Sequence, residues 1–307
     1  MLKQLKDRIM MKERISETKA YPSKYVEIDG SRVHYVEAGS GNPILFLHGV
    51  PTSSYVWRNI MPHLSTLGRC IAPDLMGFGK SDKPDIDYTM TDHIRYIGKF
   101  IQALNLKKIT FVMHGSGSII GFDYAMSHED NCLGLVFYEA FLRSLNNQEM
   151  SLPLQEQLRN LQDQYDLSDV SQIGSSYVDT LIQQSVMRQL TNTEMEHYRE
   201  PFLCEGTGKP ILQYLKELPT GDGKNAVDKM IAAYTTKLTQ STLPKLMLYS
   251  VPGFITTIAA AVWAKEHLPH LEVVEIGEEL HLGQETYPEV IGDTISVWLQ
   301  GIELSRK

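Results

Sequence analysis

Short apolar runs rich in β-branched and aromatic residues alternate with helical segments along this chain, and no other feature constrains its fold as much. Eight of these runs are predicted to be strands, namely Tyr25–Ile28, Val33–Val36, Ile44–Leu47, Cys70–Ala72, Ile109–Met113, Leu133–Tyr138, Leu246–Tyr249 and Val273–Ile276. After the first two, segments with helical spacing separate the runs, and they include Asp92–Leu104, Ile119–Ser127, Ile255–His267 and Pro288–Leu299. Strands joined through helices pair in parallel, so the sequence predicts an α/β fold with a mostly parallel eight-stranded sheet and helices on both faces.

The strand pattern stops after the sixth run and resumes only with the seventh. The stretch between them is rich in Gln, Leu, Glu and Ser and keeps helical spacing, for example in LPLQEQLRNLQDQYDL, so we predict a helical cap inserted in the sheet. We divide the chain into an N-terminal lead-in at residues 1–24, a core at residues 25–142 and 232–307, and a helical cap at residues 143–231. A chain of 307 residues is long enough to bury such a core as one unit.

Charge, hydropathy and cysteine content exclude several classes of protein. The formal net charge of −8 offers no basic patch for phosphate groups, so we expect no nucleic-acid partner. The longest apolar run, Ile255–Ala264, is shorter than the ~20 residues that a membrane-spanning helix needs, so we expect no membrane partner. The N-terminal residues lack the apolar segment of a secretory signal, and Cys70, Cys132 and Cys204 form neither a disulfide framework nor a zinc motif. We expect a cytoplasmic protein without cofactor or metal, and the oligomeric state stays open.

Five motifs follow one another in a characteristic order along the chain. They are LFLHGVPTSS, APDLMGFGKSDKP, ITFVMHGSGSIIGFDYA, VFYEAFLRSL and IGEELHLGQETYPEVIGDTISVWL. In this order they resemble the haloalkane dehalogenases, which have the α/β-hydrolase fold, and the sea-pansy coelenterazine luciferase that is similar to them. The resemblance covers the chain from about Tyr25 to Leu299 and is weakest in the cap.

The resemblance implies roles for several residues. In the family an Asp nucleophile lies in a Gly-His-Asp-Trp-Gly turn, a His near the C-terminus activates water, and a Glu after the sixth strand orients that His. His281 matches the catalytic His and Glu139 the acid, whereas Val251 stands where other branches keep their acid. The backbone N–H groups of Val50 and Ser116 match the oxyanion hole.

The turn itself departs from the family pattern at three positions. Without a gap, VMHGSGS aligns on Val-Gly-His-Asp-Trp-Gly-Gly, so Gly115 replaces the nucleophile and Ser116 the halide-binding Trp. The second halide ligand, an Asn, is replaced by Val50. Dehalogenation needs a carboxylate and two side-chain N–H donors for the departing halide, so we expect that this chain is not a haloalkane dehalogenase.

We expect instead an enzyme that uses His281 and Glu139 as an acid/base pair for non-covalent chemistry. The candidate reactions are cyclisation, elimination, decarboxylation and cofactor-free oxygenation of a bulky hydrophobic substrate, because losing two side chains should enlarge the pocket. One alternative is a serine hydrolase, an esterase or lactonase, with Ser116 as nucleophile, although His114 stands where the elbow requires a small residue. A second alternative is a non-catalytic hydrophobic ligand-binding protein.

Other polar residues near these motifs are interpreted as structural. Asp74, in APDLMGFG, is predicted to hold the turn at Gly77 and Gly79. His48 and His114 are predicted to be hydrogen-bonded turn residues.

Overall fold

The described part of the chain forms one twisted sheet of eight strands. The computed structural model describes residues 15–18, 21–144, 151–156, 159, 169, 173–219, 221 and 223–304. The strands are β1 Ser23–Ile28, β2 Ser31–Ala38, β3 Pro43–Leu47, β4 Arg69–Pro73, β5 Ile109–His114, β6 Cys132–Tyr138, β7 Lys245–Pro252 and β8 Leu271–Glu279. Each of the eight predicted strands is present.

The strand order is β1-β2-β4-β3-β5-β6-β7-β8. Strand β2 runs antiparallel to both of its neighbours, and the pairs from β4 through to β8 are parallel. The predicted mostly parallel sheet is therefore confirmed. In such a sheet the carboxyl ends of the parallel strands meet at one edge, which is where α/β folds place their sites.

Helices cover both faces of this sheet. They are α1 Met61–Leu64, α2 Met90–Ala103, α3 Gly117–Ser127, α4 Ser175–Gln183, α5 Asn192–Arg199, α6 Lys209–Lys216, α7 Ala226–Leu238, α8 Ile258–His267, α9 Gly283–Thr286 and α10 Pro288–Leu304. Helix α3 packs against both α2 and α7, and α1 packs against α10. No helix of the described residues is long and apolar enough to cross a membrane.

The centre of the sheet is buried from both sides. All six residues of β5 are buried, as expected for a parallel strand with helices on each face. Helix α3, which follows directly, is buried around most of its circumference. Helix α2 begins at Met90 rather than at the predicted Asp92, because Thr89 caps it: Thr89 and Asp92 each accept a hydrogen bond from the other's backbone N–H. These central elements form a rigid base for the turn between β5 and α3.

Among the described residues between β6 and β7, where the sequence predicts a cap, the regular elements are helices and none is a strand. Helix α7 continues across residue 231, and the predicted cap boundaries stay predictions. Helix α8 begins at Ile258 rather than at the predicted Ile255. The reason is that Thr257 caps the helix, while the N–H groups of Phe254, Ile255 and Thr256 all bind the Glu139 carboxylate.

Candidate active site

The turn between β5 and α3 is a tight elbow with Gly115 at its apex. Gly115 has a φ of +52°, a left-handed conformation that glycine adopts without strain. A Cβ at Gly117 would lie 2.5 Å from the backbone oxygen of Leu47, so only glycine lets the elbow approach β3 so closely. A Cβ built on Gly115 would lie 3.3 Å from Nε2 of His281. The apex of the elbow therefore faces the imidazole of His281.

His281 and Glu139 form a buried pair beside this elbow. Nδ1 of His281 lies 3.1 Å from Oε2 of Glu139, and Glu139 is fully buried. Glu139 stands directly after β6 with a φ of +51°. Its carboxylate also accepts backbone N–H groups from Phe254 at 3.1 Å and from Ile255 at 2.5 Å. These bonds leave Glu139 one fixed orientation towards His281.

Burial dominates the electrostatics of the pair. Burial lowers the pKa of His281 to about 3, so the imidazole is neutral at neutral pH. Burial also raises the pKa of Glu139 to about 8, although the N–H groups of Ile255, Phe254 and Thr256 oppose this rise. When Glu139 is ionised it accepts the Nδ1 proton, and the lone pair of Nε2 then points towards Gly115.

The main chain of His281 is held from two sides. Its N–H donates to the carbonyl oxygen of Ser185, and so does the N–H of Leu282, each at 2.9 Å. Nε2 of the buried His114 lies 2.9 Å from the carbonyl oxygen of His281 and donates to it. His114 is thus a hydrogen-bonded residue of the elbow, as predicted, and it positions His281 as well.

The two predicted oxyanion-hole residues lie side by side. The N–H of Val50 donates to the Ser116 hydroxyl oxygen at 3.2 Å. Ser116 occupies the N-cap position of α3 without a side-chain capping bond, and it is buried. Within the described residues its hydroxyl is bonded to Val50 and not to His281, so the structure does not bring the predicted alternative nucleophile onto the imidazole.

A small apolar cavity adjoins His281. About 40 Å³ of it is open to a water molecule, and the walls include Val50, Phe141, Leu181 and Phe254. Side chains of the segment between β6 and β7 close it against the core. Among the described residues, the small open volume beside His281 gives no support to the expectation of an enlarged pocket for a bulky substrate.

The sequence interpretation missed a buried ionic cluster behind the His281 loop. Arg58 binds Glu285 with both terminal nitrogens, at 2.6 and 2.7 Å, and Glu194 at 3.0 Å. Arg188 also binds both carboxylates, and the Tyr198 hydroxyl donates to Glu285. Glu285 lies on α9, just after His281, whereas Glu194 and Tyr198 lie on α5. No sequence pattern could predict this cluster, because its members are far apart along the chain.

Asp74 and His48 make the predicted structural hydrogen bonds, and Asp74 also contacts Nδ1 of His34. The Asp74 carboxylate accepts the N–H groups of Ser54 and Lys80, at 2.7 and 2.8 Å, and so holds the turn that follows β4. The His48 ring accepts the N–H of Leu75 at 3.0 Å.

Comparison with known proteins gives a consistent family assignment. A family model described as alpha/beta hydrolase fold matches residues 42–288. A haloalkane dehalogenase from Mesorhizobium japonicum is 35% identical over 288 residues, which cover 92% of this chain and 92% of the relative. One from Sphingobium indicum is 34% identical and covers 90% of this chain and 95% of its own length.

These relatives contradict the expected function. We expected non-covalent chemistry by an enzyme that is not a haloalkane dehalogenase, yet the relatives reported above carry that name over nine-tenths of the chain. They favour neither the serine hydrolase with Ser116 nor the ligand-binding protein. The expected function was inferred from the side chains at three positions, Val50, Gly115 and Ser116. The similarity to the dehalogenases extends over the whole scaffold that holds His281 and Glu139.

Solved structures agree with the sequence relatives. The haloalkane dehalogenase DatA from Agrobacterium tumefaciens superposes with a TM-score of 0.85 at 32% identity, covering 93% of this chain and 98% of its own. The haloalkane dehalogenase DbeA from Bradyrhizobium elkani also gives 0.85 at 32% identity, covering 92% and 99%. The chain therefore belongs to the α/β-hydrolase fold family and, within it, is a homologue of the haloalkane dehalogenases.

Proposed function

We propose that this chain hydrolyses the carbon–halogen bond of small haloalkanes, with His281 and Glu139 as the pair that activates water. The supporting observation is the geometry of the pair: Nδ1 of His281 is bonded to Glu139, and Nε2 faces the elbow. The names of the relatives support the reaction class. The small apolar cavity beside His281 suits a short haloalkane. The relation to the sea-pansy luciferase stays a prediction.

In this proposal the nucleophile is water rather than a side chain. Gly115 stands where the resemblance places the Asp, and glycine offers no atom that could form an ester with the substrate. We place the attacking water within hydrogen-bond reach of Nε2 of His281, on the side of the ring that faces Gly115, where it can donate one proton to the imidazole. The water oxygen forms a bond to carbon while the carbon–halogen bond breaks. One haloalkane and one water give an alcohol, a halide ion and a proton.

The departing halide needs donors in a low-dielectric site. We assign this role to the backbone N–H groups of Val50 and Ser116, together with the Ser116 hydroxyl. The hydroxyl oxygen accepts the Val50 N–H, so rotation of the Ser116 side chain towards the halide would also free that N–H for the halide. These donors replace the two side-chain donors that the resemblance leads one to expect.

Wild-type protein should release bromide from 1-bromobutane, and Gly115→Asn should lower that rate at least tenfold. Asn tolerates a positive φ, and its side chain would occupy the proposed water position next to His281. Ion chromatography of bromide and gas chromatography of 1-butanol measure both products. Gly98→Asn is the matched control, since nothing lies within 4 Å of a Cβ there. A wild-type protein that releases no bromide would refute the proposed function.

Bromide release should rise with pH, with a midpoint near 8. Below that pH the Glu139 carboxyl, whose pKa burial raises to about 8, keeps its proton and cannot accept the Nδ1 proton of His281. The imidazole itself stays neutral over this range, because burial lowers the pKa of His281 to about 3. The profile of kcat/KM between pH 5 and 9.5 measures the effect, and Glu139→Gln should remove the rise. A midpoint near 6.5 would assign the titration to His281 instead.

A further inference from the structure

A second group of side chains, outside the cavity beside His281, has the arrangement of an activated serine. Oγ of Ser23 lies 3.0 Å from Nε2 of His34, and Nδ1 of His34 lies 2.7 Å from Oδ2 of Asp74. Ser23 begins β1, His34 lies on β2, and Asp74 follows β4, so three adjacent strands bring them together. Both distances fall within the ~2.6–3.2 Å expected between a nucleophile, its base and the group that orients the base.

An ionised Asp74 fixes the direction of the hydrogen bond to Nδ1 of His34. Burial would raise the pKa of Asp74, but the hydrogen bonds from His34 and from the Lys80 N–H favour the ionised carboxylate, and the pKa lies below its usual value. An ionised Asp74 can only accept, so Nδ1 of His34 carries the proton and donates it. Where the second ring nitrogen carries no proton, its lone pair can accept the hydrogen of the Ser23 hydroxyl, and Nε2 lies 3.0 Å from that oxygen. This is the protonation state in which a serine can attack a carbonyl.

The base and the acid are held firmly. His34 and Asp74 are each at most 2% exposed, and the Asp74 carboxylate accepts two backbone N–H groups besides His34. The N–H of His34 donates to the Ser81 hydroxyl at 2.9 Å, and the carbonyl of His34 accepts the N–H of Asp74 at 2.8 Å. Ser23, in contrast, is exposed. The reactive hydroxyl is therefore accessible while its partners are rigid, as nucleophilic catalysis requires.

All three residues line one open cavity. Its volume is about 370 Å³, within the ~300–1,000 Å³ of small-molecule sites, and it shares no described lining residue with the cavity beside His281. Lys80 and Lys83 also line it and bring positive charge to the cavity. Positive charge stabilises the oxyanion that forms when a carbonyl is attacked.

We propose that Ser23, His34 and Asp74 form a second catalytic site, which cleaves esters of small carboxylic acids. Oγ of Ser23 attacks the ester carbonyl, its proton passes to Nε2 of His34, and the same proton leaves with the alcohol. Water then attacks the acyl-serine, gives its proton to His34, and releases the acid while the serine regains its hydrogen. The net reaction converts one ester and one water into an acid and an alcohol. This site is independent of the bromide-releasing site at His281.

A fluorophosphonate probe tests the nucleophile directly. We expect it to modify Ser23 at up to one label per chain, which peptide mass spectrometry locates. Ser23→Ala should abolish the label and remain folded, because this side chain is exposed at the start of β1. Ser127→Ala, an exposed serine on α3, should label like wild type. Labelling at Ser116, or labelling that persists in Ser23→Ala, overturns the proposal, as does the absence of any label.

Hydrolysis of p-nitrophenyl butyrate gives a second readout. Ser23→Ala should lower kcat/KM by about 10²-fold or more, whereas Ser127→Ala should leave it unchanged. The variant Ser23→Cys places a thiol beside the imidazole of His34, which should activate it. We expect this thiol to react with iodoacetamide at least tenfold faster than Cys204, the exposed free cysteine in the same cavity. Equal alkylation rates, or ester hydrolysis that Ser23→Ala leaves intact, overturn the site. Bromide release is measured separately, so such a failure leaves the proposed function untouched.

Discussion

His281→Ala should lower kcat for bromide release by about 10²–10⁴-fold, the usual loss when a positioned general base is removed. Without the imidazole, the water beside Gly115 has no group within reach to accept its proton. Nothing else among the described residues at the elbow replaces it, because Ser116 is bonded to Val50 and Glu139 lies on the far side of the ring. Steady-state halide release at pH 9, where Glu139 is ionised, measures the effect.

The matched control is His267→Ala, which removes an exposed imidazole on α8 and should not change kcat. Glu139→Gln should lower kcat in the same direction as His281→Ala, because the amide no longer fixes the Nδ1 proton. Bromide release by His281→Ala at the wild-type rate would show that the pair does not activate water. The reaction would then have to occur elsewhere in the protein.

Arg58→Met should lower the free energy of unfolding by about 3–5 kcal/mol, the usual cost of leaving a buried charge without its partner. Arg58 is 2% exposed and binds Glu285 through two nitrogens. Burial alone would raise the pKa of Glu285. The positive charges and hydrogen bonds of Arg58 and Arg188 outweigh this effect, so the pKa lies below its usual range. Removing one guanidinium leaves the ionised Glu285 with less compensation in a site that water does not reach. Urea unfolding followed by circular dichroism measures the change.

The surface ion pair of Lys209 with Asp85 is the control for this experiment. Its two atoms lie 3.1 Å apart, but both side chains are exposed and solvated. Lys209→Met should therefore leave the urea midpoint within experimental error. Equal effects of the two substitutions would show that the buried cluster does not stabilise the fold. Since Glu285 follows the His281 loop, Arg58→Met should also lower bromide release.

The order of the secondary structure and the His281–Glu139 pair could be predicted without coordinates. Strand and helix signals are local, since they depend on side-chain alternation, capping and glycine. The positions of His281 and Glu139 came from the resemblance, because both lie in motifs that directly follow strands. The expected reaction was wrong, since a few side chains in the elbow do not outweigh similarity over nearly the whole chain.

Contacts between distant segments were decided by the tertiary structure alone. Arg58 and Glu285 are 227 positions apart, and Ser23 and Asp74 both reach the ring of His34 only because β2 runs between β1 and β4. The size of the cavity at His281 likewise depends on how the segment between β6 and β7 closes on the core. By itself the sequence determined the sheet, the glycine elbow and the residues that follow each strand, because those depend on neighbours along the chain. Only the folded chain decided which charges are paired, which hydroxyl meets which imidazole and how much space remains, because these depend on neighbours in space.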